Sequence, residues 1–471
     1  MKVLLINPPS DNEIIGNNPQ IIEEERGHNP PLGLLFIAGY LERFTDYSVE
    51  ILDCQVEKLT YPKIEELLEK KKYDIVGITV MTFTLLDALK VARIVKKTNK
   101  NTRLVFGGPH VHIFPDETIH LPDVDYLVLG EGEQTFKELL DHIDDTKKLK
   151  TIRGLVFKEN GGVVNTGLRD FIQDLDELPF PARHLTPYRK YSSLLARRTP
   201  VTTMMTSRGC PYKCSFCDRP QLGKKFRARS AQNVVDEMEE CVKMGIHEFI
   251  IYDDTFTINK QRVKEICAEI IRRKLDIGWD IRARVDSVDE SLLEKLKRAG
   301  CRGIHYGVES GTTKILKILN KRITIPEIEE AFSMTKKQGI MTLAYFMIGN
   351  PTETEEDILK TIEFAKKLDP DFIHLTIFTP FPATKIYLEG LEKRIIEKDY
   401  WRDFAKNPCH TFVPPYWKEN FTIQELNELL VYAYKSFYTR PNYILRRLMK
   451  VQSLGEFKRK MKAGIKVFKM K

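Results

Sequence analysis

Two stretches of the chain alternate short apolar runs with amphipathic helical patterns, and this alternation constrains the fold more than any other feature. The first stretch covers residues 1–150 and the second covers residues 196–390. Parallel strands need long crossover connections, and helices usually supply them. We therefore predict an α/β chain with a doubly wound parallel sheet first and a partial barrel of six βα units second. Ligands in such sheets sit beyond the carboxyl ends of the strands.

Two other segments complete the predicted organisation. Residues 151–195 read as a linker, with a hairpin signal at Asn160-Gly161-Gly162 followed by a Pro-rich stretch. Residues 391–471 have helical patterns and end in a basic tail. No run of about eighteen apolar residues occurs, and the first ten residues resemble a strand more than a signal peptide. We therefore expect a cytoplasmic protein with reduced thiols.

The basic tail concentrates the positive charge of the chain. Residues 439–471 hold eleven Lys or Arg and one acidic residue, so the rest of the chain has a net charge of −2 against a total of +8. A basic amphipathic tail is a candidate for peripheral contact with an anionic membrane, here the inner membrane face. Nucleic acid is a less favoured partner, and a solvated terminus is the plain alternative. Membrane proximity would suit a lipid-like substrate.

Three cysteines, Cys210, Cys214 and Cys217, lie in the segment "TSRGCPYKCSFCDRP" just after the first strand of the second stretch. In a reducing compartment such a group indicates metal binding or catalysis more than a disulfide framework. A structural zinc site needs four closed ligands, usually in Cys-x2-Cys pairs, and only three are near. A [4Fe–4S] cluster also takes four ligands. With three from the protein, one iron would stay open to a small molecule.

This segment resembles the radical S-adenosylmethionine (SAM) superfamily in its cysteine spacing and in its position after the first barrel strand. The aromatic residues Tyr212 and Phe216 beside the cysteines agree with that family as well. The resemblance implies that SAM chelates the open iron through its amino and carboxylate groups. It further implies that an electron from the cluster cleaves SAM to methionine and a 5′-deoxyadenosyl radical, with Phe216 near the adenine.

Other motifs of the same family follow at the ends of later strands, namely "YDDTF", "RARVD", "GVESG" and "FMIGNPTET". The resemblance implies a SAM site built from residues of these motifs and of the cysteine segment. The predicted SAM-binding residues are Tyr212, Phe216, Asp253, Arg282, Glu309, Ser310, Gly349 and Pro351. For each charged residue the alternative is a salt bridge or a helix cap at the barrel mouth. No residue is identified as the one that controls hydrogen abstraction.

The N-terminal stretch, from "NPP" through "FGGPH" to "GEGE", resembles the Rossmann-like cobalamin-binding domain of B12-dependent radical SAM proteins. One departure concerns the Asp-x-His-x-x-Gly motif, whose His ligates cobalt in many cobalamin domains. Here Asp53 is present, but Gln55 stands at the His position and Lys58 at the Gly position. Relatives without this His imply cobalamin bound with no lower protein ligand. The alternative is a degenerate domain that binds nothing.

The predicted cobalamin-binding residues lie at the strand ends of this domain. They are Asp53, Gln55, Thr79, Thr82, Gly107, Gly108, Gly130 and Gly132. Backbone amides and hydroxyls near Thr79, Thr82, Thr84, Gly107 and Gly108 would hold the corrin edge and the nucleotide tail.

The resemblance implies a cobalamin-dependent radical SAM enzyme that methylates an unactivated carbon of a small-molecule or lipid-like substrate. It implies a reductant protein such as flavodoxin or ferredoxin. A first alternative keeps the cofactors without methyl transfer, as in the anaerobic magnesium-protoporphyrin ester cyclase or in lipid-modifying relatives. A second is RNA modification, which predicts an RNA-binding domain and a second cysteine trio, and neither is visible. A third is a non-catalytic cobalamin-responsive protein, which the intact cysteine trio disfavours.

Overall fold

The computed structural model describes residues 1–14, 27–193 and 195–449. Its first sheet has seven strands in the order β2-β1-β3-β4-β5-β6-β7, of which the first five are parallel and the last two antiparallel. The strands are β1 (Lys2–Asn7), β2 (Ser48–Asp53), β3 (Ile75–Thr79), β4 (Arg103–Gly107), β5 (Tyr126–Val128), β6 (Leu155–Glu159) and β7 (Gly162–Asn165). The helices are α1 (Leu32–Phe44), α2 (Cys54–Glu57), α3 (Tyr61–Lys70), α4 (Leu85–Thr98), α5 (Pro109–Ile113), α6 (Pro115–Ile119), α7 (Gly132–Asp141) and α8 (Thr146–Leu149). The predicted doubly wound sheet is confirmed.

Strand β1 shows why this sheet is covered on both faces. Successive side chains of a strand point to opposite faces. Val3 and Leu5 accordingly join one hydrophobic cluster, and Leu4 and Ile6 join another on the opposite face. All four are almost fully buried. Such continuous apolar strands are typical of a parallel sheet with helices on both faces.

The hairpin predicted at Asn160-Gly161-Gly162 is present, but it is part of the sheet and not of a free linker. Its first strand, β6, pairs antiparallel with β5, and β7 forms the outer edge. Asn160 and Gly161 both have positive φ, which a two-residue hairpin turn requires. The first sheet therefore extends to residue 165.

The second sheet has six parallel strands in the order β15-β14-β13-β12-β11-β8. These strands are β8 (Val201–Met204), β11 (Glu248–Ile251), β12 (Gly278–Ala283), β13 (Cys301–Glu309), β14 (Met341–Ile348) and β15 (Phe372–Ile377), and a separate hairpin pairs β9 (Ser207–Arg208) with β10 (Arg227–Ala228). The helices are α9 (Ala231–Lys243), α10 (Lys260–Arg272), α11 (Glu290–Arg298), α12 (Thr313–Ile318), α13 (Ile325–Lys337) and α14 (Glu355–Leu368). The predicted six-stranded partial barrel is confirmed.

A helical C-terminal region covers the open edge of this partial barrel. It contains α15 (Lys385–Glu392), α16 (Tyr400–Lys406), α17 (Ile423–Tyr438) and α18 (Pro441–Met449). On α17, the Tyr434 hydroxyl accepts from the backbone amide of Leu375 and donates to its carbonyl, both at 2.9 Å. The Tyr438 hydroxyl does the same with Ile373, at 3.0 Å. Both partners lie on the edge strand β15. These contacts satisfy backbone groups that an exposed edge strand would leave open.

The start of the predicted basic tail binds the body of the protein. Arg440 and Arg446 pair with Asp369, and Arg447 pairs with Asp371. The rest of the tail, residues 450–471, lies outside the described residues. Within residues 1–14, 27–193 and 195–449, no helix is long and apolar enough to cross a membrane.

Candidate active site between the two sheets

The cysteine segment forms a loop, residues 209–226, that leaves β9 and returns through β10. Gly209 has a φ of +83°, and a Cβ there would lie 2.2 Å from the carbonyl oxygen of Lys225. The two ends of the loop therefore touch at a position that only glycine fits. The Cys210 amide donates to the Gly223 carbonyl at 3.3 Å, which closes the loop further.

Ser215 fastens the tip of this cysteine loop to two neighbouring elements. Its amide donates to the Leu319 carbonyl at 3.0 Å, and its hydroxyl donates to the Ile318 carbonyl at 3.0 Å. Its own carbonyl accepts from the Ile386 amide of α15 at 3.0 Å. The loop is held at three points, so the positions of its cysteines are set by the barrel.

All three cysteines line one cleft at the mouth of the barrel. The predicted SAM residues Tyr212, Phe216, Arg282 and Glu309 line the same cleft. Among the described residues, no three His, Cys, Asp or Glu side chains converge closely enough to hold a single metal ion. Three thiolates on one loop are the number that would leave one iron of a [4Fe–4S] cluster without a protein ligand.

Two thiols of this loop, those of Cys210 and Cys217, have a raised pKa. Burial raises the pKa of Cys217 to about 11 and also raises that of Cys210. Free thiolates are therefore disfavoured near neutral pH, and a bound metal centre is what would hold them deprotonated.

Arg284, at the end of β12, connects the cysteine loop to the barrel. Its guanidinium lies 3.9 Å from the centre of the Tyr212 ring and 3.9 Å from the Cys214 sulfur. It pairs with both carboxylate oxygens of Asp286 at 2.9 Å and donates to the Lys321 carbonyl at 2.7 Å. A buried cation is thus fixed beside a cysteine that is predicted to ligate the cluster.

Glu309 and Lys321 form a buried ion pair within the cleft, with a separation of 2.7 Å. Glu309 ends β13 at an irregularity in the strand register and has a φ of +71°. Gly307 makes room for the pair, because a Cβ there would lie 2.5 Å from the Glu309 carboxylate. Lys321 also lies 5.8 Å from the centre of the Phe216 ring. The pair presents a carboxylate and an ammonium next to the predicted adenine position.

The structure places four predicted SAM residues outside the lining of the cleft. Asp253 is fully buried and accepts bonds from Thr206 and Ser207, just before the cysteine loop. Its neighbour Asp254 lines the cleft instead and pairs with Arg219 at 2.6 Å. The other three are Ser310, Gly349 and Pro351.

Ser310 is buried and lies within hydrogen-bond distance of the hydroxyls of Thr312 and Thr361. Gly349, with a φ of +76°, packs against Leu426 of α17, where a Cβ would lie 2.9 Å from the Leu side chain. Ser310 and Gly349 therefore fix the backbone at the ends of β13 and β14 through contacts on the side away from the cleft.

Glu353, in the same motif as Gly349, is fully buried, and burial raises its pKa to about 7. Because the folded state holds this proton more tightly than the unfolded chain, wild-type stability falls as pH rises from about 4.5 to about 7. Glu353→Gln removes this dependence. From pH 5.5 to pH 7, we expect the free energy of unfolding of the variant to rise by about 1–2 kcal/mol relative to that of wild type. Urea unfolding at both pH values measures it.

The matched control for this prediction is Glu356→Gln, since Glu356 is exposed and pairs with Lys360 on α14. Equal changes with pH in the two variants would contradict the assignment to Glu353.

In the first sheet, Asp53 is a structural centre at the end of β2. Its carboxylate accepts from the side-chain amide of Asn7 at 2.8 Å, from the Gln55 amide at 3.2 Å and from the Tyr191 hydroxyl at 2.7 Å. Gln55 in turn donates to the Pro8 carbonyl at 3.1 Å. Asp53 therefore caps α2 and joins two strand ends to residue 191 of the predicted linker.

Asp53→Ala is expected to destabilise the folded protein by about 2–4 kcal/mol, because it removes a cap and leaves buried donors unsatisfied. Tyr191→Phe, which removes one of these bonds, is expected to cost about 1 kcal/mol. Thermal unfolding of both variants measures the difference. A stable Asp53→Ala variant that loses only cobalamin would instead identify Asp53 as a direct ligand.

The remaining predicted cobalamin residues gather at the same edge of the sheet. Thr82 lies 3.0 Å from Nδ1 of the fully buried His110, whose pKa burial lowers to about 3. Gly108 has a φ of +106°, and a Cβ there would lie 2.9 Å from the Val80 carbonyl. Thr79 ends β3 and Gly107 ends β4, and these two residues are register partners. Gly130 and Gly132 flank the start of α7.

The two sheets face each other across this edge. The side chain of Asn29 donates to the Tyr252 hydroxyl at 2.9 Å, and the Tyr252 ring lies 4.1 Å from the guanidinium of Arg282 in the cleft. Phe114, which follows β4, belongs to a hydrophobic cluster against which Phe83, which follows β3, and Phe216 of the cysteine loop both pack. The predicted cobalamin edge and the predicted SAM cleft are therefore adjacent.

Comparison with known proteins agrees with both halves of this arrangement. Residues 204–365 match the family model of the radical SAM superfamily, and residues 21–140 match that of the B12 binding domain. An uncharacterised methyltransferase of Pyrococcus horikoshii is 38% identical over 453 residues, which cover 95% of this chain and 94% of the relative. An anaerobic magnesium-protoporphyrin IX monomethyl ester cyclase of Rubrivivax gelatinosus is 30% identical, covering 94% of this chain and 78% of the relative.

Two solved structures share the fold. The cobalamin-dependent SAM radical enzyme OxsB superposes with a TM-score of 0.75 at 19% identity, covering 99% of this chain and 72% of its own. The radical SAM methyltransferase TsrM of Kitasatospora setae superposes with a TM-score of 0.69 at 21% identity, covering 84% of this chain and 77% of its own.

A B12-type Rossmann sheet that faces a radical SAM barrel defines a class of enzymes with two organic cofactors and an iron–sulfur cluster. The chain belongs to the radical SAM superfamily, in the group with a B12 binding domain. It is a cobalamin-dependent radical SAM enzyme of the methyltransferase or cyclase type, whose cofactors are a [4Fe–4S] cluster, SAM and cobalamin.

Proposed function

We propose that the enzyme methylates an unactivated carbon of a small-molecule or lipid-like substrate. The adjacency of the SAM cleft and the predicted cobalamin edge supports this proposal most directly, because methyl transfer needs substrate between the two. The methyltransferase name of the relative at 38% identity agrees with it. A one-electron donor protein such as flavodoxin or ferredoxin completes the system.

In this proposal Cys210, Cys214 and Cys217 hold the cluster. When bound, the cluster and SAM supply the 5′-deoxyadenosyl radical and cobalamin supplies the methyl carrier. Arg284 places positive charge beside Cys214 and fixes the Tyr212 ring.

The remaining SAM residues have two kinds of role. Glu309 and Arg282 bind polar groups of SAM, and Phe216 lies against its adenine. Four other residues do not line the cleft and hold the strand ends in position, namely Asp253, Ser310, Gly349 and Pro351. A tight cleft of this kind orients substrate and excludes water during radical chemistry.

The predicted cobalamin residues act mainly through backbone and hydroxyl groups. Thr79, Thr82, Gly107, Gly108, Gly130 and Gly132 offer such groups at the strand ends, while Asp53 and Gln55 hold the strand ends together. Gln55 is committed to the Pro8 carbonyl, in keeping with binding without a lower protein ligand. Peripheral membrane contact would depend on residues 450–471.

The test is anaerobic reconstitution with iron, sulfide, hydroxocobalamin, reductant and methyl-labelled SAM, followed by addition of lipid and small-molecule extracts. If the enzyme methylates, we expect both S-adenosylhomocysteine and 5′-deoxyadenosine to form. The methyl label should then appear in a component of the extract. 5′-Deoxyadenosine without S-adenosylhomocysteine would favour the cyclase type, which the relative at 30% identity suggests. A chain that retains no cobalamin would refute both.

A further inference from the structure

Four charged side chains form a buried, charge-balanced group between the two sheets, called here the Glu131 cluster. Its members are Glu131, Glu133, Arg208 and Arg227, none more than 8% exposed. Glu131 accepts from Arg208 at 3.0 Å and from Arg227 at 2.8 Å, and Glu133 accepts from Arg208 at 2.5 Å. Charges buried this deeply interact strongly, so a shift of one carboxylate moves both guanidinium groups.

Both arms of the cysteine loop are attached to this cluster. Arg208 directly precedes Gly209 at the start of the loop, and Arg227 is its cross-strand neighbour in the β9–β10 hairpin. Arg227 also donates to the Leu222 carbonyl at 2.9 Å, next to the Gly223 carbonyl that accepts from Cys210. The position of Glu131 therefore sets the position of the loop.

The same carboxylate is attached to the cofactor edge of the first sheet. Glu131 lies between Gly130, which has a φ of +71°, and Gly132, the first residue of α7. Its second oxygen accepts from the Ile172 amide at 2.7 Å. A ligand that displaces the backbone at Gly130 or Gly132 thus displaces the carboxylate that anchors the cysteine loop.

We propose that Glu131 is a positioning residue that couples the two cofactor sites, so that cobalamin at the first sheet tightens SAM binding at the cysteine loop. The inference rests on the proposed function, since it needs both cofactors. A coupling free energy is reciprocal, so SAM should tighten cobalamin binding by the same factor. Buried ion pairs can often be replaced by apolar residues without loss of stability, so stability alone does not account for this group.

The experiment uses the full chain with a reconstituted cluster and measures labelled SAM binding by anaerobic equilibrium filtration, with and without hydroxocobalamin. In wild type we expect cobalamin to lower the SAM dissociation constant about tenfold, within the usual range of coupling. In Glu131→Gln we expect less than about a twofold effect, with iron content and cobalamin absorbance retained.

The matched control is Glu138→Gln on α7, the helix that begins just after Glu131; the Glu138 carboxylate pairs with Arg169. It should keep the full coupling. Full coupling in Glu131→Gln, or its loss in the control as well, would overturn the inference. If wild type binds both cofactors without coupling, the inference fails and the proposed function stands. If wild type binds no cobalamin, both fail.

A second variant covers the case in which Glu131→Gln does not fold. Arg208→Lys keeps the charge but cannot reach both carboxylates with one planar group. We expect its coupling to fall to about two- to threefold. Coupling as large as in wild type would count against the inference.

Discussion

Cys214→Ala is expected to abolish cluster assembly and to lower 5′-deoxyadenosine formation on the order of 10³-fold or more. Three thiolates hold three irons, so the loss of one leaves the cluster with too few protein ligands. A 10³-fold loss corresponds to about 4 kcal/mol of transition-state stabilisation. Iron and sulfide content after anaerobic reconstitution and product formation from SAM are the two measurements.

The control for this variant is Cys409→Ala. Cys409 is exposed and lies far from the cysteine loop in sequence, and it does not line the cleft. It should bind iron and cleave SAM as wild type does. Cys214→Ala protein that keeps a complete, active cluster would refute the assignment of the three cysteines.

The cysteine loop could be predicted because its information is local. The spacing of Cys210, Cys214 and Cys217 and the position after a strand are both visible in about fifteen residues. The two sheets were predictable for a similar reason, since strand and helix periods differ along the chain. The turn residues Asn160 and Gly161 predict the β6–β7 hairpin, but its attachment to the first sheet has no local signal, because strand pairing is a long-range contact.

Which residue of a strand end enters the cleft was harder to predict. Side chains alternate between faces, so an error of one position moves a residue from the cleft to the interior. Asp253 and Asp254 illustrate this, since Asp254 lines the cleft and Asp253 supports the backbone before the cysteine loop. Both residues lie just after β11, so the path of the chain beyond the strand decides which of them faces the cleft.

Other site residues have no signal in the local sequence. Lys321 lies twelve positions from its partner Glu309, in a loop after α12, and belongs to no motif. Glu131 follows β5 of the first sheet and Arg208 lies in the β9–β10 hairpin, so the two residues meet only in the folded chain. Buried charges that pair across domains depend on the complete tertiary structure, so a single sequence identifies neither member in advance.

Arg284→Met is expected to make the reduction potential of the cluster more negative by roughly 50–100 mV. A buried cation close to the cluster stabilises its reduced form, and its loss costs about 1–2 kcal/mol at an effective dielectric constant near 20. For one electron, 59 mV corresponds to about 1.4 kcal/mol. We expect SAM cleavage with a mild reductant to fall about tenfold as a consequence, and anaerobic redox titration monitored by EPR to measure the shift.

Arg284→Lys separates charge from shape in this prediction. Lysine keeps the positive charge but not the stacking on Tyr212 or the paired bonds to Asp286. If charge sets the potential, Arg284→Lys should keep most of the wild-type value, whereas Arg284→Met should not. Equal shifts in both variants would mean that Arg284 acts by holding the Tyr212 ring and the loop in place. An unchanged potential in both would show that the guanidinium beside Cys214 has no electrostatic effect on the cluster.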